Sequence, residues 1–280
     1  MAVSVAELAT RVRTHLGDWG GFSTTVAAQV GAADVTATLA NTNSDFIRPQ
    51  RLCAINLETL EVLSTGNPMD VRRAQRGTTA AVHAVGSLVL FEPRFTNQQI
   101  LDALNEAAIA LAGRAPKAVE VATDHAAQDV EEYALPATCI SLQKVELERS
   151  TTGLFRVCHE YEYQPGANRV RILVAPAAGR HIRFTYEAAY AALTWSTSDV
   201  STDLPLRYHP FLLDYAEGEL VTKEALSKLA VVASATGDNA DPRSALIAGQ
   251  TMRQQAIAKL NAVAPATTII QRRSARAYRL

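Results

Sequence analysis

The chain has 280 residues, 27 of them basic and 28 acidic, for a formal charge of −1 at neutral pH. At about 100–200 residues per domain this length holds one large domain or two smaller ones, and a composition 48% hydrophobic and 20% charged is that of a globular chain. Near-neutral charge argues against non-specific DNA binding as the main task, and no apolar run approaches the ~20 residues of a membrane span.

The first predicted element is a short amphipathic helix. Ser4 and Glu7 have the spacing of a capping box, Val5, Leu8, Val12 and Leu16 share one face, and Gly17 ends the run. Residues 20–94 change period. Val35, Ala37 and Leu39 alternate with threonines, residues 52–65 are strand-like with a break near Glu58, and MDVRRA and SLVLFEP follow as further strands. Short strands at regular spacing predict a small antiparallel barrel or sandwich. Thr96 then caps a second helix carrying Leu101, Leu104, Ala108 and Leu111 as far as Gly113. Residues 116–204 return to strands: ATCISLQKVELER, GLFRVCHEYEYQ, NRVRILVA and RHIRFTYEAAY read as about four, joined by turns at 165–168 and 176–180. Pro210 opens a helix with Leu213, Ala216, Leu220 and Leu229, and Asp241–Pro242 opens another. In that last helix Ala245, Gly249, Met252, Ala256 and Leu260 form the narrow stripe of a helix packed along a neighbour, read as a helix-packing and oligomer stripe. Pro265 closes it.

The expected fold class is α+β. A bundle of about four helices (1–19, 95–115 and 205–263) carries two antiparallel β insertions, small barrel or sandwich modules at 20–94 and 116–204. Residues 264–280 form an extended basic C-terminal tail. This tail holds Arg272, Arg273, Arg276 and Arg279 with no acid, so the rest of the chain carries −5. It has too little apolar bulk for a core and is expected to be disordered when free. Ile269 and Ile270 give it strand propensity and Tyr278 an aromatic anchor, the make-up of a segment that adds to a sheet edge while its arginines meet acidic groups.

Familiar catalytic motifs are missing: no phosphate-binding G-x-x-x-x-G-K-[ST], no H-E-x-x-H, no G-x-S-x-G and no dinucleotide fingerprint. Cys53, Cys139 and Cys158 are odd in number and far apart, which predicts small buried thiols in a reducing cytosol. The N-terminus lacks the pattern of a secretory signal. No metal or other cofactor is expected, and the chain is read as not an enzyme. Glu131/Glu132 read as a solvated loop. Glu160/Glu162 put two like charges on one strand face, where an arginine of a neighbouring subunit is as good a partner as a substrate.

The most distinctive segment is residues 72–90. Here Arg76, Gly77 and Thr78 make a turn, His83 sits between small residues, and Gly86 precedes the strand SLVLF. His83 reads as a ligand or base, or as a loop anchor bonded to a backbone carbonyl or to Glu58 or Glu61. No second catalytic group stands beside it, which favours the anchor. The pattern R-G-T, small residues, His and Gly, then V-x-F resembles a β module of tailed-phage virion proteins. FTNQQILDALNEAAIAL, YALPATCISLQKVEL, RHIRFTYEAAYAAL and DLPLRYHPFLLDYAEGEL resemble the head-to-tail adaptor (connector) proteins of tailed phages. The resemblance covers most of residues 1–262, and the module at 20–94 is an addition that shorter adaptors lack.

The resemblance implies a structural virion protein that forms a ring, commonly of twelve copies, between the portal and the tail, with a DNA channel at its centre. Its partners would be the portal protein, a downstream tail protein (stopper, nozzle or tail terminator) and further copies of itself. Genomic DNA would pass without sequence-specific binding, and no membrane is involved. The tail residues Ile269, Ile270, Arg272, Arg273, Arg276, Tyr278 and Arg279 would reach the portal clip. The expected location is the virion neck, assembled in the host cytoplasm. Two other readings stay open. One is a tail or baseplate component with the same β module. The other is a small-ligand or carbohydrate-binding protein or a hydrolase, for which the sequence points to no concave site.

Overall fold

The computed structural model describes residues 3–18, 20–124, 132–149, 154–173, 179–195, 204–232 and 242–263. The chain divides into two compact units. The first comprises residues 1–108 and 191–259, the second 109–190 and 260–280.

The first unit opens with α1 (Val5–Leu16). The Ser4 hydroxyl accepts the Glu7 amide at 3.2 Å, and Gly17 takes a left-handed φ of 63° that turns the chain out of the helix. Six strands follow: β1 (Phe22–Thr25), β2 (Thr36–Ala37), β3 (Leu52–Ile55), β4 (Glu58–Val62), β5 (Met69–Arg72) and β6 (Leu88–Phe91). All pairings are antiparallel, in the order β1-β6-β3-β4-β5-β2. The outer strands then meet. Val26, just past β1, bridges Leu39, just past β2, and Ala27 and Ala40 donate to Thr38 and Thr25 across the join. The sheet therefore closes into a small barrel around Cys53, Ile55, Leu60, Val62, Met69, Val71, Val89 and Phe91. The break expected near Glu58 is a two-residue hairpin turn at Asn56–Leu57, with Asn56 at φ 50°. β1 escapes sequence reading because FSTT has one apolar residue in four.

α2 (Asn97–Ala112) begins with a capping box in which Thr96 and Gln99 exchange side-chain and backbone bonds. It buries Ile100, Leu104, Ala107 and Leu111. α3 (His209–Val232) and α4 (Pro242–Val263) complete the four helices. α3 and α4 touch backbone to backbone: a Cβ on Gly249 would stand 2.8 Å from the Gly218 carbonyl and 2.5 Å from the Thr222 hydroxyl. Arg253–Glu219 at 2.8 Å and Lys259–Asp214 at 2.6 Å flank that contact.

Among the described residues the second unit holds seven strands where sequence reading expects about four. They are β7 (Lys117–Asp124), β8 (Glu132–Ala134), β9 (Cys139–Glu148), β10 (Phe155–Cys158), β11 (Tyr161–Gln164), β12 (Arg169–Ile172) and β13 (His181–Ala188). β7 carries an alternating Lys-Ala-Val-Glu start that could have been recognised. The run GLFRVCHEYEYQ splits at His159–Glu160, and its halves enter different sheets, ordered β10-β9-β13-β7 and β11-β12-β8. One apolar core joins the two sheets, with Tyr133, Val145, Val170, Ile172, Ile182 and Phe184 at its centre. Tyr133 and Phe184 lie with ring centroids 5.9 Å apart. Glu160 falls before β11, so Glu160 and Glu162 do not share a strand. Glu162 lies opposite Arg171 in register, and Glu132 pairs with Arg169 at 3.3 Å.

The three cysteines are free and buried. Burial, with a contribution from Glu58, pushes the Cys53 thiol up to about 12. Burial raises Cys139 and Cys158 as well. No helix of the described residues is long and apolar enough to cross a membrane.

Candidate functional site

The segment singled out in the sequence is organised by one carboxylate. In β4, Glu58, Leu60 and Val62 share a face because strand side chains alternate. That face looks into the barrel, so Glu58 is a buried acid, its side chain 0% exposed. Arg73, just past β5, grips it with both ends of its fork, Nε to Oε1 at 2.7 Å and Nη2 to Oε2 at 2.6 Å. The amides of Ala74 and Ala81 donate to the same carboxylate at 3.0 and 3.1 Å. His83 Nε2 donates to Oε2 at 2.8 Å. Asn56 Nδ2 stands 3.3 Å from His83 Nδ1, so that nitrogen is the acceptor and the ring is neutral.

Arg73 reaches further, to the carbonyls of Gly31 at 2.6 Å and Ala81 at 2.6 Å. His83 and Val30 exchange both backbone hydrogen bonds, at 2.8 and 3.0 Å. The loop 74–86 is thereby tied down at Ala74, Ala81 and His83, while residues between the ties face solvent, Val82 at 57% and Val85 at 62%. Thr78 is a further tie, taking the Thr59 amide at 3.1 Å and donating to the Gln75 carbonyl at 2.8 Å. Arg76 and Gly77 are exposed at positive φ, 53° and 76°, and Gly86 takes φ 84° as the loop turns into β6. Of the two carboxylates considered for His83, Glu58 holds it, and Glu61 instead pairs with Arg72 at 2.8 Å on the outer face. Strand parity with Leu60 and Val62 was the available signal.

The electrostatics follow from this crowding. Burial alone would raise the Glu58 carboxyl, but the Arg73 guanidinium, the two amides and His83 outweigh it and bring it down to about 2. Burial lowers His83 against the pull of Glu58, and Arg73 adds to the lowering. The cluster is a satisfied ion pair with a neutral imidazole, its carboxylate and ring closed off from solvent and its guanidinium mostly so. No substrate can reach Glu58 or His83 in this arrangement. The chemistry it can perform is to hold a loop in one conformation.

The stripe on α4 lies elsewhere. Gly249, Ala256 and Leu260 are buried, and Ala245 and Met252 are half-buried. Gly249 is occupied by α3 of the same chain, at Gly218 and Thr222. Its lack of a side chain serves close helix contact within the protomer, the packing half of the reading given to the stripe. The tail residues Ile269, Ile270, Arg272, Arg273, Arg276, Tyr278 and Arg279 lie outside the described residues. Sequence reading missed Arg73 and Asn56, whose roles depend on partners 15 and 27 positions away. Among the described residues no group of three or more His, Cys, Asp or Glu could hold a metal ion.

Comparison with known proteins yields a family model described as SU10 adaptor protein, which matches residues 3–278. Two similar solved structures come from assembled particles. One is described as the neck of an empty GTA particle computed with C6 symmetry. It is 18% identical, over 51% of this chain and 70% of that one, with a TM-score of 0.23. The other is described as the virion of a native gene transfer agent (GTA) particle. It is 20% identical over the same shares, with a TM-score of 0.23. No curated protein matches the chain.

Proposed function

The chain belongs to the SU10 adaptor protein family, and from that premise we propose that it is a structural component of the virion neck, a head-to-tail adaptor that forms a ring on the portal. The observation that carries this reading is the span of the family match, which takes in both β regions and all four helices. A borrowed β module alone would account only for residues 20–94, so the span favours an adaptor over a tail or baseplate component with the same module.

In this reading the ring, of about twelve copies as the resemblance implies, leaves a channel for the genome. Cyclic, head-to-tail contacts present two different faces to each neighbour, which suits surfaces bearing both arginines and acids. The segment 264–280, with four arginines and the strand-prone pair Ile269–Ile270, docks on the portal by strand addition and charge. The opposite side meets a tail protein. The barrel sits on the outside of the ring as a separately folded insertion, and assembly takes place in the host cytoplasm. A mildly acidic body, −5 without the tail, lets DNA slide without adhering.

A small-ligand role has less support. A cleft of about 290 Å³ between α1 and residues 84–88 is at the low end for ligand sites, and its charged lining residue, Arg13, is already paired with Asp18 at 2.7 Å.

The test is assembly on the portal. Purified chain mixed with portal should give closed rings in negative stain, with many copies per particle by mass measurement. One to three copies per particle would overturn the ring. Deleting 264–280 should leave a folded chain that no longer binds portal, and normal assembly of the truncated chain would refute the docking role. Binding by strand addition survives moderate salt, whereas binding by charge alone is lost steeply as salt rises.

A further inference from the structure

The barrel joins the helices through two crossings of the chain, one marked by Gly17, Asp18, Gly20 and Gly21 and the other by residues 91–96. Two adjacent crossings are a hinge by default, and Gly20 and Gly21 lie in one of them. The crossings are stapled together. Asp18 carries the staple: its carboxylate pairs with Arg13 of α1 at 2.7 Å and accepts the amides of Arg94 at 2.7 Å and Phe95 at 3.0 Å. The Gly21 amide donates to the Phe91 carbonyl at 3.0 Å, and a Cβ on Gly20 would stand 2.3 Å from that carbonyl oxygen. Arg13 and Asp18 are 2% and 1% exposed in their side chains, so this pair is as enclosed as the one in the barrel.

A staple at the hinge fixes the axis and leaves the swing free. The swing is fixed by a third contact away from the axis. Asn97, the first residue of α2 and buried, accepts from Arg13 Nη2 at 2.7 Å through its oxygen. Its amide donates to the carbonyl of Asn56, in the β3–β4 turn. The Asn56 side chain is in turn 3.3 Å from His83. A continuous hydrogen-bonded path thus leads from Arg13 through Asn97, the backbone carbonyl and then the side chain of Asn56, and His83 to Glu58 and Arg73. Asn97, Asn56 and His83 each accept at one end and donate at the other, as a neutral imidazole and an asparagine can, while the arginines only donate and Glu58 only accepts.

We propose that Asn97 and Asn56 form a latch that locks the barrel to α1 and α2 and couples the helix junction to the loop 74–86. The barrel then moves with the helices as one body, and a load on α1 reaches the exposed loop through these hydrogen bonds rather than through the hinge. The two asparagines are positioning residues. Neither pair of charges alone produces this coupling, because each satisfies its own partners. The inference concerns the isolated chain and holds whether or not the ring reading does.

Hydrogen exchange on the purified full-length chain tests it, read at the amides of Ala81, His83 and Gly86. Asn97→Asp keeps the acceptor for Arg13, removes the donor to Asn56 and faces that carbonyl with a carboxylate. Asn56→Gly keeps the positive φ and the carbonyl and removes only the side chain facing His83. Loss of one half-buried bond of this kind should speed exchange of the loop amides about tenfold in either variant. In Asn56→Gly the amides of Arg94 and Phe95 at the staple should exchange as in the parent. The double variant should be little faster than the faster single one, since both break the same path. Unchanged loop exchange in Asn56→Gly overturns the proposal even if Asn97→Asp fails to fold. So do effects that simply add in the double variant, because independent contacts add.

Discussion

The two β regions use similar strands and treat their edges in opposite ways. The six strands of 22–91 close on themselves through the Val26–Leu39 bridge, so the barrel presents no long unpaired edge. Among the described residues the strands of 117–188 form two sheets whose outer strands are β7 and β10 in one and β8 and β11 in the other, packed over one apolar core. Closure has a consequence for polar groups. In the barrel a carboxylate and an imidazole are fully enclosed and are satisfied by a guanidinium that is itself mostly buried. The ion pairs described in the second region, Lys144–Glu146 and Arg169–Glu132, are open to solvent on at least one partner. Buried pairs of the first kind are poor sources of stability, because desolvation offsets most of the attraction, but they tolerate only one arrangement. The barrel is built to hold a loop still, whereas the two sheets of the second region do not close on themselves among the described residues.

The sharpest way to break this contrast is to remove the carboxylate. Glu58→Gln leaves the Arg73 charge enclosed without its partner and should cost about 3–5 kcal/mol in chemical denaturation. Glu132→Gln, at an exposed pair in the second region, should cost under about 1 kcal/mol. Equal losses would erase the distinction between the regions.

Acid should act next most strongly, and on the barrel first. Glu58 and His83 both titrate below their ordinary values when folded, so the unfolded chain takes up protons before the folded one does. Stability present at neutral pH is therefore lost as pH falls. The loss starts as pH drops through 6.5, the ordinary histidine value, and continues from 4.5 toward about 2 as Glu58 is protonated. The Glu58 part is on the order of 3 kcal/mol. Melting temperatures measured across this range should fall for the parent and flatten below pH 4.5 in Glu58→Gln. A parent curve that stays level from neutral to acid would contradict the enclosed hub.

Smaller effects refine the helical side. Gly249→Ala forces a Cβ against the Gly218 carbonyl and Thr222, and should cost about 1–3 kcal/mol in thermal melts of the isolated chain. If the variant melts like the parent and loses only ring formation, the stripe is an intersubunit contact after all. The smallest change is Ser4→Ala at the start of α1. It removes one cap bond and should cost about 1 kcal/mol, without altering the acid response.

Much of the fold was legible because it rests on local rules. The capping box and Gly17 gave both ends of α1, and the strand-like runs MDVRRA and SLVLFEP gave β5 and β6. Thr96 and Gly113 bounded α2. What was missed has physical reasons. FSTT becomes a strand only because β6 offers it a partner, and GLFRVCHEYEYQ divides because its halves meet different sheets. At the loop, the pattern marked His83 as an anchor and named Glu58 and Glu61 as candidates. The choice between them followed from strand parity, but the role of Arg73 did not.

By itself the sequence determined the periods, the caps and the turns, and hence a helical frame interrupted by two β regions, because those features depend on neighbours within a few residues. It also carried the family pattern. Only the tertiary structure decided how the edges were disposed of, which carboxylate went inside, and which small residue met which helix. Each of these depends on bringing together residues far apart in the chain, as Val26 meets Leu39, Arg73 meets Glu58 and Gly249 meets Gly218. A buried charge is tolerable only where such distant partners converge on it, and no local pattern records that convergence.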